Sequence, residues 1–161
     1  NSFPEIDEVQ LVDLKKSFLE RYFECMLDDI CLYNGVIELI DFLDNESIPW
    51  GIVTNKSEKY TRPIIEKLNW HELTNAIICP ENVSKAKPDP EGIIKALNLL
   101  NASNSESYYV GDHKRDIETG KNANVESLKI YQTKWLMLMS LLNLIPLKMV
   151  SLSYLSLLCK L

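Results

Sequence analysis

Apolar side chains recur at helical spacing over residues 9–30. Leu11, Leu14, Phe18, Leu19, Tyr22, Phe23, Met26 and Ile30 share one face, with polar residues behind them. Asn34-Gly35 marks a turn. Val36, Ile37, Leu39, Ile40, Phe42 and Leu43 then predict a second amphipathic helix ending near Asn45. Residues 48–54 (IPWGIVT) have the unbroken apolar character of a buried strand. Ser57 is placed to cap a helix through Leu68, with Tyr60, Ile64, Ile65 and Leu68 on one face. Residues 76–79 predict a short strand. Asp89 is placed to cap the next helix, with Pro90 at its first position and Leu100 at its end. Residues 107–110 (SYYV) predict another strand, closed by Gly111-Asp112. A helix begins at Asp116 and runs to Asn122, and residues 128–131 predict a last strand.

Strands and helices thus alternate through short connections, which predicts an α/β fold: a Rossmann-like parallel sheet with helices on its faces. In such sheets ligands bind beyond the C-terminal ends of the strands. Thr54 ends one predicted strand, Gly111-Asp112 ends another, and Lys87 lies in the loop after a third.

Composition narrows the partners. The 161 residues suit one compact domain, and the formal net charge is −6. An acidic chain is a poor general binder of nucleic acid or of anionic membrane, so neither is expected as a partner. An anionic substrate must then be met by locally placed cations. Cys25, Cys31, Cys79 and Cys159 form no C-x-x-C pair, and His71 and His113 are far apart. A metal cluster on sulfur or imidazole is not expected from that spacing, and disulfides have no support. With no signal peptide in the sequence, a reducing cytoplasm is the expected location. The first residues are Asn-Ser-Phe-Pro rather than Met, which fits a chain that begins partway through its gene.

The two ends of the chain do not match. All 23 acids lie in residues 1–126, against 13 of the 17 Lys and Arg, a net −10; residues 127–161 hold four cations and no acid. After Trp135 the composition collapses to Leu, Met, Ser and Lys. A membrane helix is one reading, but Asn143, Pro146 and Lys148 interrupt a run that needs about 18–20 clean apolar residues to span a bilayer. An apolar helix packed on the domain is a second. A shifted reading frame is the third and the one favoured, since the composition changes abruptly with no linker. Residues beyond about 130 are therefore expected to make few specific contacts with the core.

Residues at the strand ends carry a coherent chemistry. Cleaving a phosphate ester requires positive charge and hydrogen-bond donors around the transferring oxygens. Mg²⁺ suits this, held by one or two carboxylates and the substrate phosphate. Thr54-Asn55 supplies a hydroxyl and a turn of backbone amides, and Lys87 supplies a point charge beside Pro88. Asp112 and Asp116, four residues apart in GDHKRD, can place two carboxylates beside one cation. Each residue also has a plainer reading. Asp112 could only cap a helix, Asp116 could be an ordinary first-turn acid, Thr54 a strand-end residue and Lys87 a solvated loop lysine. Lys56 reads as a solvated charge, His113 as a loop residue, Trp50 and Trp70 as packing residues and Cys79 as core.

In order, GIVTNK, SKAKPDPEG and YYVGDHKRDIETGKNA resemble motifs two, three and four of the haloacid dehalogenase superfamily, over about residues 10–126. The overall style resembles the phosphoglycolate phosphatase branch, and ICPENVSKAKPDPE with IPWGIVTNK resembles its N-acetylmuramic acid 6-phosphate phosphatases. The resemblance implies an Mg²⁺-dependent phosphomonoester hydrolase acting on a small phosphorylated metabolite, as a monomer or homodimer. It implies phosphate binding by Thr54, Asn55 and Lys87, with Thr54 and Lys87 catalytic, and metal binding by Asp112 with help from Asp116, directly or through water. It also implies that residues 1–33 are a remnant of a helical cap, that 34–131 form the α/β core and that 132–161 are an atypical tail.

One departure matters. The superfamily begins with a strand ending in D-x-D-G-T, whose first Asp attacks phosphorus, and no D-x-D occurs in this chain. Asp28-Asp29 is adjacent and does not substitute. The expectation is a core that lacks its central first strand and its nucleophile, and that does not turn over substrate by itself. A non-catalytic, interaction-only relative is the alternative. A phospho-acceptor receiver domain uses similar residues but places its acid pair before the Thr and Lys, whereas here Asp112 and Asp116 come last.

Overall fold

The computed structural model describes residues 7–28, 30, 32–129 and 149–152. The chain divides into two compact units, Asn1–Ile30 and Cys31–Leu161. The first unit holds helix α1 (Glu8–Cys25). Asp7 accepts the Gln10 N–H and the Gln10 side chain accepts the Asp7 N–H, a reciprocal cap that fixes where the helix starts. The apolar stripe forms a helical face through Phe23, with Met26 and Ile30 beyond the helix end, yet α1 has no buried residue, and Val9, Val12 and Phe18 are all well exposed.

The second unit is a parallel α/β layer. Helix α2 (Val36–Asn45) buries Val36, Leu39, Ile40 and Leu43 of the six apolar residues read from the sequence, while Ile37 is exposed and Phe42 half-buried. Strand β1 (Trp50–Val53) follows, then α3 (Glu58–Lys67), β2 (Ile77–Ile78), α4 (Glu91–Leu99), β3 (Ser107–Gly111), α5 (Lys114–Asn122) and β4 (Glu126–Lys129). The predicted element types and order hold. The last helix starts earlier than expected, because His113 caps it. His113 Nδ1 accepts the Arg115 N–H, and the Asp116 carboxylate reaches back to the His113 N–H.

Residues 149–152 require a correction. Strand β5 (Met149–Leu152) lies in the middle of the sheet, whose order is β2-β1-β5-β3-β4, with every neighbouring pair parallel. Val150 is paired with Trp50 on one side and Tyr108 on the other, and Leu152 with Ile52 and Val110. Few specific contacts were expected beyond residue 130. The physical reason for the difference is that β1 and β3 face one another across one strand's width, each with a row of backbone donors and acceptors that has to be paired. The other tail readings fall on residues outside those described. Among the described residues, no helix is long and apolar enough to cross a membrane.

The core beneath the sheet gathers Val53, Ile78, Ile93, Leu97, Tyr109 and Val125. At the N-terminal edge Trp50 and Trp70 pack edge to face, with ring centroids 5.7 Å apart. Both are buried, in keeping with their reading as packing residues. Cys79 is buried too, and desolvation pushes its thiol up to about 11, so it is an inert core residue rather than a nucleophile.

Candidate functional site

Because all the strands run the same way, their C-terminal ends share one edge. Thr54 follows β1 there, Asp112 follows β3, and the loop between β2 and α4 brings Lys87 to the same edge. Thr54 is buried, and its Oγ1 accepts the Lys56 N–H at 3.0 Å, which bends the chain out of the strand. Burial lowers the Lys56 ammonium below its ordinary value.

Lys87 is held by its backbone and by its side chain. Asn55 makes two bonds to the backbone: the Lys87 N–H donates to Asn55 Oδ1, and Asn55 Nδ2 donates to the Lys87 carbonyl, each at 3.1 Å. Asn122 Nδ2 donates to the Pro88 carbonyl at 2.9 Å, and the Lys87-Pro88 peptide is cis. Further up the loop, Glu91 accepts the N–H groups of Ser84 and Lys85. The ammonium itself turns inward. Its Nζ donates to Asp116 Oδ1 at 2.7 Å, to the Val53 carbonyl at 2.9 Å and to the Tyr109 hydroxyl at 2.9 Å. The Lys87 and Asp116 side chains are 5% and 2% exposed, so the ion pair is buried. Desolvation lowers the Lys87 ammonium, and the Asp116 charge with its hydrogen bond offsets part of that.

Asp116 has more than one partner. Beyond Lys87, its Oδ2 accepts the His113 N–H at 3.1 Å, and the Tyr109 hydroxyl lies 3.5 Å from Oδ1. The resemblance gives Asp116 to a metal, directly or through water; in this structure its carboxylate also holds Lys87 and the turn into α5. The Asn55 side chain binds the Lys87 backbone, which leaves the backbone amides of the Thr54-Asn55 turn as its expected contribution to phosphate binding. Asp112 is the half-buried acid of the pair. Its charge adds to desolvation in raising the Tyr33 phenol above its ordinary value. Gly111 makes this packing possible: a Cβ there would sit 2.7 Å from Asp116 Cγ, so any larger residue would push α5 off the strand end.

Tyr109, Asn122 and Glu91 escaped the sequence reading. Tyr109 carried one local signal, an aromatic hydroxyl two residues before Gly111 on a strand buried almost throughout. Asn122 and Glu91 carried none, because their partners lie across loops.

The sequence profile of haloacid dehalogenase-like hydrolases matches residues 1–130. The chain belongs to this family. Among its relatives, the N-acetylmuramic acid 6-phosphate phosphatase of Pseudomonas aeruginosa is 32% identical over 125 residues, covering 78% of this chain and 55% of that protein. The phosphoglycolate phosphatase of Xylella fastidiosa is 30% identical over 128 residues, covering 79% of this chain and 56% of that one. The chain therefore spans about half the length of these relatives. In fold it is similar to the crystal structure of CbbY from Rhodobacter sphaeroides in complex with phosphate, at a TM-score of 0.66, 18% identity and coverage of 81% and 60%. The chain is thus part of a hydrolase family with phosphatase members, and its sheet is of the family's Rossmann-like type.

Proposed function

We propose that this chain is the phosphate-handling portion of an Mg²⁺-dependent phosphomonoester hydrolase of the phosphoglycolate phosphatase type. One observation carries the reading: Lys87, a buried cation, is anchored at the strand edge where β1 delivers Thr54 and β3 delivers Asp112. A phosphoryl group at that edge meets the Thr54 hydroxyl and the backbone amides of the Thr54-Asn55 turn, with Lys87 as the positive charge. Preorganised donors of this kind stabilise charge that develops on transferring oxygens.

Asp112 is the carboxylate available for the cation. Among the described residues no group of three metal-binding side chains occurs. That fits Mg²⁺, which takes one or two carboxylates and completes its shell with phosphate and water. When bound, the ion neutralises charge that would otherwise repel an anionic nucleophile. Asp116 acts on Lys87, fixing the ammonium's position. The nucleophile is not among this chain's residues, since it holds no D-x-D. In the chemistry that the resemblance implies, an Asp on a D-x-D strand would form an aspartyl-phosphate that water then hydrolyses, splitting one displacement into two. Helix α1 with residues up to 33 is read as part of a helical cap, 34–131 as the core and 132–161 as a stretch of foreign composition whose residues 149–152 pair into the core sheet.

The substrate is a small phosphorylated metabolite. N-Acetylmuramic acid 6-phosphate is the second specific reading, favoured by the relative that matches 78% of the chain. The test is phosphate release from 2-phosphoglycolate, N-acetylmuramic acid 6-phosphate and an aryl phosphate by a longer polypeptide carrying this chain behind a D-x-D strand. Hydrolysis should be abolished by chelation. Lys87→Ala should lower turnover by roughly 10²-fold, and Asp112→Asn should weaken the response to Mg²⁺. The 161-residue chain alone should release none. Activity of the chain alone, or full activity after exhaustive chelation, would sink the assignment. A longer polypeptide that hydrolyses none of the three would favour an interaction-only role.

A further inference from the structure

Among the described residues, three acceptors surround the Lys87 ammonium: Asp116 Oδ1 at 2.7 Å, the Val53 carbonyl at 2.9 Å and the Tyr109 hydroxyl at 2.9 Å. An ammonium has three N–H donors. In this arrangement each donor has an acceptor inside the protein, so a phosphate oxygen that reaches Lys87 must take one of them over. The three partners do not release the amine equally. Leaving Asp116 would strip a 2% exposed carboxylate of its counter-charge, the costliest choice. Leaving the Val53 carbonyl would strand a buried acceptor, unless a second donor stands ready.

Tyr109 is that second donor. Its side chain is fully buried, and its hydroxyl lies 3.2 Å from the same Val53 carbonyl, nearer than the 3.5 Å to Asp116 Oδ1, so Val53 is the better placed acceptor for its one O–H. A phenol carries one O–H and two lone pairs. Tyr109 can therefore accept from Lys87 and donate to Val53 at once, and it keeps the second bond when the first is broken. Two donors converge on one carbonyl, which gives the lysine a partner it can leave.

We propose that Tyr109 is a positioning residue for Lys87: its hydroxyl keeps the Val53 carbonyl hydrogen-bonded while the ammonium turns to a phosphoryl oxygen. The inference rests on the reading of Lys87 as phosphate-binding and assigns a role to a residue that never touches the substrate. Without the hydroxyl, the Val53 carbonyl has a stronger claim on the amine. Lys87 then stays turned inward, and phosphate binds less well although the fold is intact.

The experiment titrates inorganic phosphate with Mg²⁺ into the chain carrying ¹⁵N-labelled lysine and follows the Lys87 Nζ resonance. Wild type, Tyr109→Phe and Tyr108→Phe are compared. Tyr108 neighbours Tyr109 on β3, is half-buried and serves as the control for losing a phenol from the same strand. In wild type the Lys87 resonance should move saturably with phosphate. Tyr109→Phe should start from a shifted Lys87 resonance and bind phosphate roughly tenfold more weakly, the worth of about one hydrogen bond to a charged group. Tyr108→Phe should match wild type. A purely structural Tyr109 would lower the unfolding midpoint and leave phosphate affinity unchanged; that result overturns the proposal while leaving the Lys87 reading intact. A wild-type Lys87 resonance indifferent to phosphate overturns both.

Discussion

Lys87 and Asp116 form a buried ion pair at the mouth of the sheet, and its energetics follow from burial. Taking two charges out of water costs several kcal/mol, recovered only through close contact and further hydrogen bonds. The Val53 carbonyl, the Tyr109 hydroxyl and the His113 N–H supply those bonds. Removing one charge leaves the other buried and uncompensated. Asp116→Asn should therefore lower stability by about 3–5 kcal/mol, read as a shift of the urea midpoint. Replacing both, as Lys87→Met with Asp116→Leu, should recover most of that loss; a double variant as unstable as the single one would contradict the account. At this scale the sequence was readable where a residue's meaning depends on its own neighbours. Thr54 and Asp112 lie at the ends of short apolar runs and Lys87 in the loop after another, so their places at the strand ends were legible. The actual task of the Asn55 side chain was not, because its partner lies 32 positions away. Tyr109 was hidden likewise, its hydroxyl meeting a lysine 22 positions back.

Among the elements, α3 shows how a helix start can be fixed from a distance. Ser57 stands at the N-cap position read from the sequence, but its side chain makes no capping bond of its own. Its hydroxyl donates to Glu81, whose other carboxylate oxygen accepts the Glu58 N–H at 3.0 Å. One acid from the turn after β2 thus caps a helix that begins beside the Thr54 turn. These bonds, the Ser57 hydroxyl first and the Glu58 amide second, hold the Glu81 carboxyl below its ordinary value. A lowered acid contributes stability above its unfolded value of 4.5 and loses it as pH falls through the lower folded value. Glu81→Ala should cost about 0.5–1 kcal/mol at neutral pH, the usual worth of a helix cap, and less in acid. An unchanged thermal midpoint at pH 7 would contradict this. Apolar pattern and capping residues together foretold helices α1 to α5 and strands β1 to β4 as elements. Their ends were less legible, because caps such as His113 and Glu81 work through bonds that hydrophobic spacing does not encode.

For the molecule as a whole, the sheet's continuity depends on β5. Order β2-β1-β5-β3-β4 means that, among the described residues, the strand hydrogen bonding of the two strand pairs is joined through Met149–Leu152. The sequence could not show this, since a run of Leu, Met and Ser names no partner and its neighbours in the sheet lie about 40 and 100 positions away along the chain. Pairing between distant segments is a tertiary choice that local pattern does not fix. Ser151→Pro removes an N–H and fixes φ in a central strand, where proline is hardly tolerated. It should broaden or abolish cooperative unfolding while leaving α1 helical; an unaltered transition would show that β5 is dispensable. The site follows from the same topology, because parallel strands put Thr54, Lys87 and Asp112 at one edge and the Trp50 groove at the other. Mapping the backbone amide shifts of the 161-residue chain as inorganic phosphate is added with Mg²⁺ tests that assignment most directly. The account predicts saturable shifts centred on Thr54, Asn55, Lys87 and Asp112. Shifts centred instead on the opposite groove lined by Trp50, His71, Asn75 and Leu100, or no saturable shifts at all, would contradict it.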